Sequence, residues 1–162
     1  MTRADRDHRT YTGVYALYIH VPFCRIRCTY CAFNTYAGQE DLINDYVAAL
    51  VKEIYLAPPP DQKLRVATLY FGGGTPSLLA SHHIETILAA VQKRFEIEAD
   101  FEVTLEANPG TIDRTKLQAL HALGITRLSL GMQSAHQSEL TLFGRLHQHK
   151  DVVQAVEDAR QA

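Results

Sequence analysis

The chain of 162 residues contains no tryptophan, only two methionines and only three cysteines. Charge of one sign is also not in excess, because 16 Lys and Arg oppose 18 Asp and Glu and leave a formal net charge of −2. Binding to nucleic acids or anionic membranes usually needs a basic surface, so neither is an expected partner. Hydrophobic residues make up 46% and charged residues 21%, which is typical of a folded globular domain and excludes wholesale disorder.

Long apolar runs are also missing. The longest run, at about residues 14–23, contains His20 and is far shorter than the roughly 20 residues of a membrane-spanning helix. Residues 1–13 carry charges of both signs with no apolar stretch behind them, so we predict a polar flexible tail rather than a secretory signal. Three cysteines are too few for a disulfide framework, and we expect a cytoplasmic protein whose core spans residues 14–162.

Hydrophobic periodicity predicts four strand–helix units in succession. The predicted strands are 15–21, 66–71, 101–106 and 127–130. The predicted helices are 43–54, 81–91, 113–123 and 150–161, with a short helical piece at 138–143. We expect prolines 58–60 to stop the first helix, glycines 72–74 to end the second strand, and Ser81 to cap the second helix.

This order of elements predicts an α/β fold with a parallel sheet, either doubly wound or curling into a barrel. In both layouts ligands bind at the carboxyl ends of the strands. The chain ends after a helix, where a fifth strand would be expected, so we expect a truncated piece of a larger fold.

The three cysteines form one motif, C-x3-C-x2-C, made by Cys24, Cys28 and Cys31 directly after the first predicted strand. Three thiolates on one loop can hold three irons of a [4Fe–4S] cluster and leave the fourth iron open to a substrate. One alternative is a structural zinc site completed by His20 or a neighbouring histidine. Another is a redox pair of Cys28 and Cys31, which gives Cys24 no role.

Four segments at the ends of the predicted strands resemble radical S-adenosylmethionine (SAM) enzymes. They are YIHVPFCRIRCTYC at 18–31, YFGGGTPS at 70–77, EANP at 106–109 and LGMQS at 130–134. Within that superfamily they are similar to the branch that holds oxygen-independent coproporphyrinogen III dehydrogenases and HemW-type haem chaperones. The resemblance implies that this chain is the N-terminal four βα units of a partial (β/α)6 TIM-like barrel.

The resemblance also implies cofactors and site residues. A [4Fe–4S] cluster on the three cysteines would chelate SAM, whose reductive cleavage yields a 5′-deoxyadenosyl radical and methionine, and we expect no catalytic residue beyond this centre. The residues expected to contact SAM or lie beside the cluster are Tyr18, Tyr30, Gly73, Gly74, Thr75, Glu106, Gln133 and Arg145.

Several of these residues also have simpler interpretations. Glycines 72–74 fit an ordinary tight turn, Tyr18 fits core packing, and Glu106 fits a turn cap. The segment 72–77 partly matches a dinucleotide fingerprint but lacks its third glycine, and no Gly-Lys-Ser/Thr follows, which excludes a phosphate-binding P-loop. We assign no site to the pair His82 and His83 or to the pair His147 and His149.

Phe33 separates the two branches, because the dehydrogenases carry a further cysteine at that position. The segment Arg145-Leu-His147 is also more similar to the chaperones. We therefore expect a haem-binding and haem-transferring protein, with a coproporphyrinogen III dehydrogenase as the alternative and a zinc-stabilised α/β binding module as a third. The expected partners are SAM, haem or a porphyrinogen, an electron donor protein and a haem-accepting protein.

Overall fold

The computed structural model describes residues 13–57 and 62–162. The predicted tail, apart from Gly13, and the proline stop at 58–60 lie outside the described residues. The strands are β1 (Val14–Val21), β2 (Phe23–Cys24), β3 (Tyr36–Ala37), β4 (Arg65–Gly73), β5 (Glu96–Ala107) and β6 (Arg127–Leu130). The helices are α1 (Ile43–Leu56), α2 (Ser81–Arg94), α3 (Arg114–Ala122), α4 (Gln137–Leu142) and α5 (His149–Gln161).

Four strands form one parallel sheet in the order β1-β4-β5-β6. Each of them is followed by a helix, so the predicted α/β fold of four repeating units is confirmed. The short strands β2 and β3 pair with each other in a separate two-stranded sheet and join the two ends of the cysteine loop. Within the described part of the chain, no helix has both the length and the apolar character needed to cross a membrane.

The two faces of the sheet have different surroundings. Along β1, Ile19 and Val21 are buried, whereas Tyr18, which directly precedes Ile19, is exposed. Successive side chains of a strand point to opposite faces, so one face of the sheet is covered and the other is open. The covered face packs on α1, α2 and α3 through one hydrophobic core, in which Phe71 of β4 and Leu105 of β5 are fully buried.

Two predicted boundaries were wrong. β4 does not stop before the glycines but continues through Gly73, because Gly72 and Gly73 keep the parallel pairing with His20 and Val21 of β1. A Cβ on Gly72 would lie 2.8–2.9 Å from aromatic carbons of neighbouring tyrosines, so glycine lets the strand run on beneath these rings.

The cap of α2 also differs from the prediction, since Ser81 is the first helical residue and Ala80 is the N-cap. Ala80 has no side-chain oxygen to offer, and the ring of His83 takes over part of the capping. Its Nδ1 accepts a hydrogen bond from the Ala80 N–H at 3.2 Å, and its Nε2 bonds Asn44 Oδ1 of α1 at 2.8 Å. His83 therefore joins two helices, and no site role is needed to explain it.

Candidate functional site

The carboxyl ends of the four sheet strands meet at one edge, and the segments that follow them enclose a cavity of about 520 Å³. Parallel strands place their carboxyl ends together, which is why the segments after β1, β4, β5 and β6 share this space although they are far apart in sequence. All three cysteines line the cavity. It is also lined by seven of the other predicted residues, Tyr30, Gly73, Gly74, Thr75, Glu106, Gln133 and Arg145.

The cysteine loop is held by backbone pairing at both of its ends. Phe23 and Cys24 of β2 pair with Tyr36 and Ala37 of β3, and the Tyr36 N–H donates to the Pro22 carbonyl at 2.8 Å. Inside the loop, the three thiols are free and half-buried, and the Cys31 N–H donates to the Cys28 carbonyl at 3.1 Å. The C-x3-C-x2-C motif thus forms a compact loop, and its three cysteines line one cavity.

The end of β4 lies directly against the start of this loop. The Gly74 N–H donates to the Val21 carbonyl and the Thr75 N–H to the Phe23 carbonyl, both at 2.8 Å. A Cβ on Gly74 would lie 2.6 Å from the Phe23 oxygen, closer than real Cβ atoms come to other atoms, and 3.0 Å from Cys24 Sγ. Position 74 therefore has to be glycine for the two segments to touch.

Two of the thiols accept hydrogen bonds from polar side chains in the cavity wall. The Thr75 hydroxyl donates to Cys24 Sγ at 3.6 Å, and Arg145 Nη1 donates to Cys28 Sγ at 3.4 Å. Burial raises the pKa of the Cys24 thiol, while the hydroxyls of Thr75 and Thr35 lower it in opposition. These donors stabilise negative charge on sulfur, which a metal-ligating thiolate requires.

Asn108 was not predicted as a site residue, yet it links the two donors. Its Nδ2 donates to Thr75 Oγ1 at 3.0 Å, and its Oδ1 accepts from Arg145 Nη2, which also donates to the Gly131 carbonyl at 2.9 Å. The available signal in the sequence was its position directly after a predicted strand, within the EANP segment. The sequence gives no indication of the side chains that it joins.

Glu106 extends its carboxylate from β5 toward the end of β4. Its Oε1 accepts from the Tyr70 hydroxyl at 2.7 Å, and its Oε2 accepts from the Gly73 N–H at 3.1 Å. Gly73 has a positive φ of 116°, which glycine adopts without strain. Glu106 thus fixes the glycine segment and also faces the cavity, so its role exceeds that of a simple turn cap.

Tyr18 is the one predicted site residue outside the group that lines the cavity. It lies on the open face of the sheet, 58% exposed, and its ring stacks on Tyr70 with centroids 5.9 Å apart. Burial and the nearby Glu106 carboxylate raise its pKa. Tyr18 therefore reaches the site through Tyr70 and Glu106, and its exposure argues against ordinary core packing.

Gln133 and Tyr30 both line the cavity. Gln133 has a φ of 65°, the only positive value for a non-glycine residue within the described ranges, and its side chain is exposed. The Tyr30 ring meets Phe143 edge-on with centroids 5.3 Å apart, and burial raises the pKa of its hydroxyl. Both side chains remain accessible from the cavity.

A family model, the radical SAM superfamily, matches residues 18–162. The chain belongs to this superfamily. It is 43% identical over 155 residues to the haem chaperone HemW of Synechocystis, covering 90% of this chain and 37% of that protein. It is 41% identical over 145 residues to the mitochondrial radical S-adenosyl methionine domain-containing protein 1 of Bos taurus, covering 90% and 33%.

Among solved structures, the radical SAM chain is similar to coproporphyrinogen III oxidase (HemN) of Escherichia coli, described as a radical SAM enzyme. The TM-score is 0.83 and the identity 30%, over 91% of this chain and 34% of that one. The chain thus spans about a third of the length of each relative. These findings confirm the predicted superfamily, its HemN and HemW branch and the N-terminal part of that fold.

The radical SAM family implies a [4Fe–4S] cluster and SAM, and the donor set here fits them. Gly73 and Gly74 line the cavity, and the absence of side chains there lets this segment pack directly against His20 and the start of the cysteine loop. Three free thiols line the same cavity, and two of them accept hydrogen bonds from Thr75 and Arg145.

Zinc fits less well. Among residues 13–57 and 62–162, no three His, Cys, Asp or Glu side chains converge closely enough to share one metal ion. His20 bonds the Asn34 carbonyl at 2.9 Å through Nε2, and His147 bonds the Met132 carbonyl at 3.0 Å through Nε2. Both histidines thus use Nε2 for a backbone carbonyl, a contact that each would have to give up to complete a Cys3His zinc site through this atom.

We predict that Gly74→Ala destabilises the radical SAM fold, because the new Cβ forces the end of β4 away from the cysteine loop. The free energy of unfolding should fall by about 1–3 kcal/mol. Urea denaturation of the iron-free protein measures this change.

Gly110→Ala is the matched control, since Gly110 lines the same cavity and a Cβ there meets nothing within 4 Å. Equal denaturation midpoints for the two variants would contradict the assigned close approach at Gly74.

Proposed function

We propose that Cys24, Cys28 and Cys31 bind a [4Fe–4S] cluster. The proposal is supported by three free thiols on one loop that face one cavity, with Thr75 and Arg145 donating to two of them. Three protein ligands leave one iron of a cluster without a side chain, which is the opening that a substrate needs.

We further propose that the cavity of about 520 Å³ is the SAM site. The Glu106 carboxylate accepts hydrogen bonds and suits the amino group or a ribose hydroxyl of SAM. Arg145 brings a fixed positive charge that suits the carboxylate, and Gln133 offers both donors and acceptors. Gly73 and Gly74 would line the part of the site that takes the methionine moiety, and Tyr30, between Cys28 and Cys31 in sequence, lines the same cavity.

When bound, the cluster and SAM supply the radical chemistry, namely one-electron cleavage of the sulfonium. The chain's own residues would hold the two groups within one cavity. Tyr18 contributes through its stack on Tyr70, which donates to Glu106. The electron comes from a donor protein, which is a proposed partner.

For the whole protein we propose haem binding and transfer to haem-requiring proteins. The carrying observation is the 43% identity to a HemW haem chaperone across 90% of this chain. Phe33 supports the same branch, because it stands where the dehydrogenases are expected to carry a further cysteine. We also propose a reducing compartment such as the cytoplasm, which suits free thiols; the Bos taurus relative carries a mitochondrial name.

The second candidate function is oxidative decarboxylation of coproporphyrinogen III. It is favoured by the structural similarity to HemN, with a TM-score of 0.83 over 91% of this chain. The two candidates share the cluster and the SAM site and differ in whether the tetrapyrrole is changed.

The metal assignment predicts that replacing any one cysteine by alanine abolishes stable cluster binding. After anaerobic reconstitution, the intact wild-type protein should hold about four iron atoms per chain, and Cys28→Ala should lose most of the iron and its visible absorbance. Ala32→Ser, an exposed change in the same loop, is the control and should keep the wild-type iron content. Stoichiometric zinc in anaerobically purified wild type, or full iron in Cys28→Ala, would contradict the assignment.

The chaperone assignment predicts that coproporphyrinogen III keeps its mass when incubated anaerobically with the reconstituted intact protein, SAM and a reductant. Mass spectrometry measures the tetrapyrrole and 5′-deoxyadenosine in the same sample, and a parallel titration measures haem binding by absorbance. The expected result is haem binding beside an intact porphyrinogen. Loss of two carboxyl groups would instead identify the dehydrogenase.

A further inference from the structure

We propose that Asn108 is a positioning residue that holds Thr75 and Arg145 against Cys24 and Cys28. The inference rests on the proposed function, because it assigns the role through the cluster and SAM. A continuous hydrogen-bonded path carries it, from Cys24 Sγ through Thr75 Oγ1 and the Asn108 amide to Arg145 and Cys28 Sγ. One amide therefore connects the donors of two thiols that line the cavity.

Hydrogen bonds of its own backbone hold Asn108 in place, independently of its side-chain contacts. It follows β5 directly, its N–H donates to Ser77 Oγ at 3.4 Å, and its carbonyl accepts from the Thr111 N–H at 2.9 Å. Pro109, which is buried, follows and restricts the conformation further. The amide thus projects from a rigid strand end and not from a loose loop.

The two ends of the amide are not interchangeable in this arrangement. Nδ2 must donate toward Thr75, because the Thr75 hydroxyl uses its own proton for Cys24. Oδ1 must accept from Arg145, whose guanidinium has no acceptor to offer. Asparagine satisfies both demands, whereas aspartate satisfies only the second.

Gly131 shows how closely Arg145 is held. Its carbonyl accepts from Arg145 Nη2 at 2.9 Å, while a Cβ on it would lie 2.8 Å from Asn108 Oδ1 and 3.1 Å from that same nitrogen. Its N–H donates to the Ala107 carbonyl at 2.9 Å, so the ends of β5 and β6 are joined. Arginine side chains are flexible, and the Gly131 carbonyl together with Asn108 Oδ1 restricts the Nη2 end of this guanidinium.

Loss of the bridge should be measurable at the cluster as well as at SAM. Hydrogen bonds to cluster-ligating sulfurs and nearby charge set the reduction potential. Freed from Asn108, Thr75 and Arg145 would donate less to the two sulfurs, which favours the oxidised cluster and lowers the potential. A less fixed Arg145 would also bind the SAM carboxylate less tightly.

The test compares Asn108→Ala and Asn108→Asp with wild type in the intact, reconstituted protein. Redox titration followed by electron paramagnetic resonance gives the midpoint potential, and calorimetry gives the SAM dissociation constant. Both variants should have lower midpoint potentials at normal iron content, and Asn108→Ala should bind SAM about tenfold more weakly, the scale of one lost charged hydrogen bond. Asn44→Ala is the matched control, since it removes an inter-element amide contact, to His83, outside the cavity.

A double-variant comparison separates positioning from a merely structural role. If Asn108 acts through Arg145, then Asn108→Ala combined with Arg145→Lys should bind SAM no more weakly than Arg145→Lys alone. A fold-loss of SAM affinity in the double variant equal to the product of the two single losses would overturn the proposal. So would a wild-type midpoint potential in Asn108→Asp, which preserves side-chain volume and keeps the inference testable if the alanine variant does not fold. Failure of wild type to bind iron or SAM would instead overturn the proposed function.

Discussion

The close contact between the end of β4 and the start of the cysteine loop supports every other feature of the site. Two backbone hydrogen bonds, from Gly74 to Val21 and from Thr75 to Phe23, bring the segments together. Because Gly74 has no side chain, Cys24 can lie beside the strand end. The Thr75 hydroxyl is thereby placed within reach of Cys24, and a parallel sheet with its carboxyl ends on one edge supplies the remaining wall.

Charge is distributed across this site in a way that suits an anionic metal centre. Donors face the thiols, through Thr75 on one side and the permanently charged Arg145 on the other. The Glu106 carboxylate is directed to the Gly73 N–H and the Tyr70 hydroxyl and so has defined partners of its own. Arg145 and Glu106 thus line one cavity with separate partners, an arrangement that suits a zwitterionic ligand such as the amino and carboxylate end of SAM.

The fold and most of the lining residues could be predicted from the sequence because their signals are local. Alternating hydrophobicity gave the strands, and β6 was predicted with its observed bounds, Arg127–Leu130. The C-x3-C-x2-C spacing and the glycine run marked two of the cavity segments, and the family resemblance connected them.

Features that depend on long-range contacts could not be read in this way. The extension of β4 into its glycines depends on pairing with β1, and the cap of α2 depends on a histidine ring that also reaches α1. Asn108 has an ordinary local setting, and its importance comes from Thr75 and Arg145, which are 33 and 37 residues away. No local sequence pattern indicates contacts between residues that are so far apart in the chain.

The most direct test of the account is whether SAM binds the iron that the three cysteines leave open. The measurement is electron–nuclear double resonance of the reduced, reconstituted protein with SAM that carries 17O in its carboxylate and 15N in its amino group. We expect hyperfine coupling of both labels to the cluster, together with a changed cluster spectrum. An unchanged spectrum without coupling, in protein that holds its full iron content, would contradict it.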